Sequence, residues 1–188
     1  MGRNPASSDE RQLPAEEAIP DGLAGSWWVA HTRPRSEKAL AADLAALGIA
    51  HYLPLQRRET KSRRTGRTSR SVLPLFSGYV FFNGTQEDRY RALKTKRIAN
   101  TLAVPEQHRL VWELRQIHKA LASGVGLQRH ARLQVGSPVR VAAGPLTGIE
   151  GLVFRRLSRV RLVLNVKMLG QSVSLQVAGE LLEPISDP

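Results

Sequence analysis

The sequence predicts an α+β fold, in which an N-terminal antiparallel sheet flanked by helices is followed by a linker and a small all-β C-terminal barrel. Two observations predict it. Up to about residue 123, strand-like segments alternate with amphipathic helical segments, as in helices packed on an antiparallel sheet. From about residue 135 onward, short runs of alternating apolar and polar residues are separated by glycine-containing turns. Several short strands in so few residues favour a barrel, because closure removes the exposed sheet edges.

Composition divides the chain into four segments. Residues 1–26 hold two basic and five acidic residues and are predicted to be a disordered acidic tail. Residues 27–123 are predicted to form the first folded domain. Residues 124–134 are interpreted as a linker, because their glycines and basic residues show little periodicity, and residues 135–188 as the second domain.

The first domain begins with the strand-forming run WWVAHT (27–32), which is followed by the helical segment SEKALAADLAALG. Three leucines of this segment are spaced i, i+4, i+7 and so lie on one face of the helix. Ser36 stands at the expected N-cap and Gly48 at the C′ position, where a left-handed residue is common.

Four further elements are predicted in the first domain. They are a strand at IAHYLPL (49–55), a short helix or turn at QEDRYRALKTK (86–96), a strand at RIANTLAV (97–104) and an amphipathic helix at 108–124 whose buried stripe is Leu110, Leu114, Ile117 and Leu121.

The stretch PLFSGYVFF (74–82) is predicted to be a strand that is apolar on both faces. Alternation places Phe76, Val80 and Phe82 on one face and Leu75, Tyr79 and Phe81 on the other. One face is expected to pack on the domain's own helices and the other to remain open for a partner.

The second domain contains the runs SPVRVAAG, GLVFRRL, RVRLVLNVKM and QSVSLQV, each with period-two alternation. Helix is the competing prediction for residues 152–169, whose leucine and arginine content tolerates it. The alternation of Val160, Leu162, Leu164 and Val166 favours strand.

The net charge of +12 and the pI near 11.1 indicate a polyanionic partner. The tail contributes −3, residues 27–132 contribute +13 and residues 133–188 contribute +2. Seven basic residues fall in RRETKSRRTGRTSR (57–70), which has no apolar side chain and is predicted to be the tip of a protruding hairpin that contacts phosphates. Surface charge that serves only solubility is the alternative.

Several classes of function find no support. The chain has no cysteine, which excludes disulfides, thiolate nucleophiles and cysteine-bound metals. It has no P-loop and no HExxH motif, and its five histidines lack metal-ligand spacing. We therefore expect no enzyme, no cofactor and no metal. No apolar run is long enough to span a membrane and no secretory signal opens the chain, so a cytoplasmic location is expected.

The second domain carries VRVAAGPLTGIEGLVF (139–154), which resembles a KOW motif, in which a strand, a glycine-punctuated loop and a second strand open a five-stranded barrel. The loop candidates are Gly144, Pro145, Gly148 and Gly151. The glycines supply the backbone freedom that a tight loop needs. A plain hairpin is the alternative reading of the same residues.

The first domain resembles the N-terminal domain of the NusG family of transcription elongation factors. The resemblance rests on WWVAHTRPRSEKALAADLAALGIAHYLPL, the basic loop after it and PLFSGYVFF, and with the KOW motif it covers residues 27 to about 185. Ser77 departs from the family pattern, which usually has proline there. The basic loop, the KOW loop and the RVRLVLNVKMLG run are more similar to the specialised RfaH-like paralogues than to the housekeeping member.

The resemblance implies docking on the β′ clamp helices of bacterial RNA polymerase. The implied docking residues are Trp28, Val29, His31, Phe76, Ser77 and Tyr79. Ordinary core packing is the alternative for all six. By similarity to RfaH-like proteins, the segment 88–94 would contact non-template DNA, with cations beside one stacking ring. The nucleic-acid candidates are Arg57, Arg58, Lys61, Arg63, Arg64, Arg67, Arg70, Arg89, Tyr90 and Arg91.

The sequence thus predicts a monomeric, non-catalytic elongation or antitermination factor that modulates pausing and termination. Its KOW domain would recruit Rho or a small-subunit ribosomal protein, and in RfaH-like proteins the C-terminal domain can also mask the docking face. The alternative is a KOW-containing RNA-binding or ribosome-associated protein without polymerase contact. An RNA binder would not need Phe76 exposed, so the exposure of Phe76 is expected to discriminate the two.

Overall fold

A computed structural model describes residue 19 and residues 22–62, 64–131, 136–156 and 159–185. Residues 1–18, 20 and 21 of the predicted acidic tail therefore lie outside the described residues, as do residues 132–134 of the predicted linker. The prediction of disorder is wrong for the described end of the tail, because Ile19 is buried in the core, Leu23 packs against the same cluster and β1 begins at Ser26. In the described part of the chain, no helix has the length and apolar character needed to cross a membrane.

The first half of the chain is mixed α/β, as predicted. Its elements are β1 (Ser26–Thr32), α1 (Glu37–Ala46), β2 (Ala50–Tyr52), β3 (Leu55–Lys61), β4 (Thr68–Pro74), β5 (Tyr79–Gly84), α2 (Gln86–Lys94), β6 (Ile98–Ala103) and α3 (Gln107–Ala122). Four of the strands form an antiparallel sheet in the order β2-β5-β1-β6.

Helix α1 begins and ends as predicted. Gly48 follows the C-cap with a φ of 69°, in the left-handed region that glycine enters without strain. Ser36 occupies the N-cap, although its hydroxyl makes no capping bond and instead donates to the carbonyl of Pro34 at 3.4 Å.

Both faces of the four-stranded sheet are covered. Helices α1 and α2 pack on one face, where Leu40 and Ala92 share a buried cluster with Val80 and Phe82 of β5. Helix α3 packs on the opposite face with Phe81. The expectation of an open second face is therefore wrong in this structure, because α3 fills it.

The stretch 74–82 also departs from its predicted alternation. Residues 75–78 form a bend and a turn, and β5 begins only at Tyr79. Gly78 has a φ of 86°, so the chain reverses there and the period-two count is interrupted. As a result Phe76 packs edge-on against Phe81, with ring centroids 6.4 Å apart, instead of joining Val80 and Phe82.

Strands β3 and β4 form a separate two-stranded antiparallel hairpin. Its register runs from Leu55 opposite Pro74 to Lys61 opposite Thr68. The predicted basic hairpin is confirmed, and the basic segment supplies both arms as well as the tip.

The second half of the chain is a six-stranded antiparallel sheet in the order β12-β8-β9-β10-β11-β7. Its strands are β7 (Gln128–Ala131), β8 (Pro138–Val141), β9 (Glu150–Arg156), β10 (Arg159–Val166), β11 (Gln171–Gln176) and β12 (Leu182–Pro184). Strand rather than helix at β9 and β10 is confirmed. Within the described residues no pairing joins β12 to β7, so closure into a barrel is not confirmed.

Part of the segment interpreted as a linker is a strand. Residues 128–131 form β7 and pair with β11. A four-residue strand lying at a sheet edge needs no strong period of its own, which is why the sequence pattern did not reveal it.

Helix α3 lies between the two sheets. Of the predicted stripe, Leu110, Leu114 and Ile117 are buried in the core cluster, whereas Leu121 is only partly buried. A second buried stripe, which the sequence reading missed, faces the C-terminal sheet. There the Glu113 carboxylate accepts the backbone N–H of Lys167 at 3.1 Å, and the Gln116 side-chain carbonyl accepts the N–H of Glu150 at 3.0 Å.

Burial at this contact raises the pKa of Glu113, against the opposing hydrogen bonds from Lys167 and Arg109. A carboxyl group with a raised pKa in the folded state binds its proton more tightly folded than unfolded. Its contribution to stability is therefore present at low pH and is lost as the pH rises through the raised pKa.

We expect Glu113→Gln, which keeps the acceptor oxygen, to remove this part of the pH dependence. The free energy of unfolding is measured by urea denaturation across the acidic range. As the pH rises, that of the variant should increase relative to that of wild type. Glu106 titrates in the opposite sense, because Lys167 lowers its pKa, and Glu106→Gln is the matched control. A wild-type-minus-variant difference that does not change with pH would contradict the expectation.

Candidate functional site

The β3–β4 hairpin concentrates exposed cations. Of the seven predicted cations in residues 57–70, the six that the structure describes are all exposed. The seventh, Arg63, lies outside the described residues. The six are Arg57, Arg58, Lys61, Arg64, Arg67 and Arg70. Arg70 is partly neutralised, since its Nε donates to the Glu59 carboxylate at 2.7 Å across the hairpin. The other cations of the set have no acidic partner among the described residues, so they can meet phosphate oxygens directly.

The predicted trio on α2 separates into three different roles. Tyr90 is 54% exposed, so about half of its surface is open to solvent instead of being packed on the sheet. Arg89 stacks over the ring of Trp28 at 5.0 Å and donates to the Thr101 hydroxyl at 2.8 Å. A half-exposed cation held on an aromatic ring beside an exposed tyrosine is a surface on which a nucleobase can stack.

The guanidinium of Arg91 makes two hydrogen bonds within the domain. Its Nη1 donates to Asp88 at 3.0 Å and its Nη2 to the carbonyl of Leu47 at 2.9 Å, which ties α2 to the end of α1. A nucleic acid would have to compete with both bonds. The prediction of a free cation at Arg91 is not met.

A capping box fixes the start of α2 and with it the position of this surface. The Asp88 N–H donates to the Thr85 hydroxyl at 3.2 Å, and the Asp88 carboxylate accepts the Thr85 N–H at 3.0 Å. The pKa of Asp88 is lowered by the bonds that its carboxylate accepts, first from the Thr85 N–H and then from the Thr85 hydroxyl at 2.9 Å.

The six predicted docking residues do not form one patch. Successive residues of a strand point to opposite faces, so Trp28 lies on the α1/α2 side, whereas Val29, His31 and Tyr79 lie on the α3 side. Val29 and Phe76 have no exposed surface. They fit the alternative of ordinary core.

What remains on the surface is the end of β1 and the turn before β5. His31 and Ser77 are exposed, and the His31 and Tyr79 rings lie 5.3 Å apart. Beside them a groove of about 710 Å³ is also lined by Arg33 and Arg35. We refer to His31, Ser77 and Tyr79 as the turn patch.

One residue that the sequence reading missed holds the turn patch in place. Glu37 is buried, and its carboxylate accepts the N–H of Gly78 at 2.7 Å. A glutamate that accepts a hydrogen bond from a turn amide 41 positions later along the chain leaves no pattern in its local sequence. A glutamate in the first turn of a helix would ordinarily be assigned to the helix dipole.

The glycine-rich loop between β8 and β9 adopts the geometry expected of it. Gly144 and Gly148 have φ values of 87° and 79°, and the Gly148 N–H donates to the carbonyl of Val141 at 2.8 Å. Gly151 serves a different purpose, since a Cβ there would lie 2.5 Å from the carbonyl oxygen of Val163. The loop and its flanking valines thus match the predicted strand–loop–strand unit.

Metal chemistry finds no support in the part of the chain that the structure describes. It contains no group of three or more His, Asp or Glu side chains placed to hold an ion.

Comparisons with known proteins give one family. The model of the NusG family, described as "Transcription termination factor nusG", matches residues 25–119. Among solved structures, the chain is similar to the crystal structure of the MjSpt4:Spt5 complex in conformation B, at 16% identity and a TM-score of 0.29. That match covers 86% of this chain and 97% of the other, and at this TM-score it carries no argument. The comparison with curated proteins found no match.

The molecule is thus a protein of two parts, an α/β unit that presents a basic hairpin and an all-β unit packed on its last helix. The family match begins one residue before β1, ends within α3 and spans half of the chain. The chain belongs to the NusG family.

Proposed function

We propose that this protein is a transcription elongation factor that binds bacterial RNA polymerase and modulates pausing and termination. The observation that carries the proposal is the family match over the whole α/β unit. The NusG family consists of transcription factors and not of enzymes. A cytoplasmic, monomeric factor without a cofactor is consistent with this role.

The turn patch is our proposed contact with the β′ clamp helices. Phe76 does not support docking, because its ring is buried in the core. That burial is the outcome expected for an RNA binder, so the family match and not Phe76 supports the polymerase proposal. His31 and Tyr79 support docking instead. They offer two adjacent rings at the surface, and aromatic side chains are enriched among residues that dominate binding energy.

The proposal is tested by binding of the purified protein to core RNA polymerase. Replacing both rings, as His31→Ala with Tyr79→Ser, should weaken binding at least tenfold, since a docking aromatic contributes about 2 kcal/mol or more. Lys38→Ala, an exposed change on α1, is the control and should bind like wild type. Far-UV circular dichroism checks that each variant is folded.

One result would count against the proposal. If wild type fails to bind, residues 1–124 alone are tested next, which removes the C-terminal sheet as a possible competitor for the docking site. If neither form binds polymerase but both bind RNA, the competing function, a KOW-containing RNA-binding protein, takes its place.

Nucleic acid is proposed to contact the protein at two surfaces, the hairpin and the α2 surface of Arg89 and Tyr90. The hairpin cations suit phosphates of any sequence. The α2 surface suits an unpaired base, and we assign it to exposed non-template DNA.

The C-terminal sheet is proposed to be a KOW domain. Its support is the loop geometry at Gly144 and Gly148, together with the buried Val139 and Val141 on the preceding strand. In this role it would recruit a second partner, such as Rho or a small-subunit ribosomal protein.

A further inference from the structure

A groove of about 1140 Å³ lies between the base of the β3–β4 hairpin and the segment that leads into β7. It shares Arg57 and Arg58 with the hairpin cations of the proposed function, but the rest of the groove has no role there. It lies apart from the turn patch except at Ser77, and the tip of the hairpin is not part of its lining.

Two strand edges face this groove. Residues 55–59 of β3 and residues 128–130 of β7 line it without a gap. Since alternate side chains of a strand point to opposite faces, an unbroken run can line one space only if the strand presents its edge to it. Along β3 this edge extends for about 16 Å.

Both edges lack a partner among the described strands. Strand β3 pairs with β4 alone, and β7 ends the six-stranded sheet by pairing with β11 alone. No other backbone hydrogen bond within the described ranges reaches these two runs. An unpaired edge keeps its N–H and C=O groups available to a further strand.

The lining of the groove combines apolar and basic side chains. On the hairpin, Leu55 lies on the same face as Arg57. Leu73, which is 40% exposed, lies opposite Gln56 in the register and shares the other face with Arg58. Leu127 and Arg129 line the other side of the groove, and the carboxylate of Glu59 is already paired with Arg70.

This chemistry suits a peptide better than a nucleic acid. As far as the structure describes the lining, it contains no Trp, Tyr or Phe ring on which a base could stack. A second copy of this chain is also a poor occupant, because pairing two cationic edges would bring like charges together.

We propose that the groove binds an extended segment of a partner protein in which apolar and acidic residues alternate. The segment adds as a strand to the free edge of β3. Its alternate side chains fall on opposite faces of the extended sheet. The apolar ones lie on the face of Leu55 and Pro74, and the carboxylates lie on the face of Arg58, with Arg129 across the groove. Main-chain bonds supply affinity in this mode and alternate side chains supply specificity.

The test uses the full-length protein and a fluorescein-labelled ten-residue peptide of alternating valine and glutamate. We expect saturable binding by fluorescence anisotropy. Amide hydrogen exchange should slow when the peptide is added at those alternate residues of 55–59 whose N–H points away from β4. The same peptide with alternate backbone amides methylated keeps its charge but cannot pair, so it should bind at least about tenfold more weakly.

Two variants of equal charge change complete the test. Arg129→Glu should weaken peptide binding by about tenfold, whereas Lys38→Glu, which lies on α1 away from the groove, should leave it unchanged. Neither residue belongs to the proposed polymerase contact, so a failure here is distinct from a failure there.

Three outcomes would overturn the inference. Equal binding of the methylated peptide would show attraction by charge alone, and the absence of saturable binding would show that the edge is not a receptor. Displacement of the peptide by ten-residue oligothymidylate, with Arg129→Glu weakening both ligands alike, would assign the groove to nucleic acid.

Discussion

Phe76→Ala is expected to lower the free energy of unfolding by about 3–5 kcal/mol, because the ring has no exposed surface and its removal leaves a cavity beside Phe81. A loss of that size is a large part of the total stability of a typical domain. Urea denaturation followed by tryptophan fluorescence measures it.

The control for this experiment is Tyr90→Ala. It also removes an aromatic ring, but from a side chain that is 54% exposed, and it should change stability by no more than about 0.5 kcal/mol. If Phe76→Ala cost less than about 1 kcal/mol, the ring would not be packed as described. The second face of the sheet would then be open after all.

Neutralising the hairpin is expected to have the largest effect on nucleic-acid binding. The triple variant Arg58→Gln, Lys61→Gln and Arg64→Gln removes three exposed cations that have no acidic partner among the described residues. Each phosphate contact contributes about 0.7–0.9 to the slope of log K against log salt concentration. The slope should therefore fall by about 2–3, and affinity at low salt by about a hundredfold.

A charge-matched control separates position from net charge. Lys38→Gln, Lys96→Gln and Lys119→Gln also remove three exposed cations, but none is on the hairpin. Binding to a labelled duplex is measured by anisotropy at several salt concentrations. Equal losses in the two triple variants would show that only the overall charge of the protein matters.

Much of the fold could be predicted because its periodicities are long enough to be unambiguous. The leucine spacing of α1 and α3, and the alternation of Val160, Leu162 and Leu164 in β10, each repeat over several turns or pleats. The placement of Phe76 could not be predicted in this way. The turn at Gly78 reverses the chain and restarts the alternation.

The candidate site was predictable in its charges and not in its contacts. A run of seven cations without an apolar residue belongs at the surface whatever the fold. In contrast, the engagement of Arg91 depends on the carbonyl of Leu47, 44 positions away, which only the folded chain brings near. The second stripe of α3 was missed because Glu113 and Gln116 are residue types that ordinarily face water.

The composition of that second stripe has a consequence for how the two halves of the protein influence each other. The side chains of Glu113 and Gln116 accept hydrogen bonds from the C-terminal sheet, and water could donate the same bonds. Separating the halves would therefore expose polar groups at this stripe. Contacts of this kind resemble reversible interfaces more than obligate ones. If the two halves separate, a ligand that prefers one half in its separated form would shift the equilibrium for the other half by the same free energy, and α3 would be the element that links them.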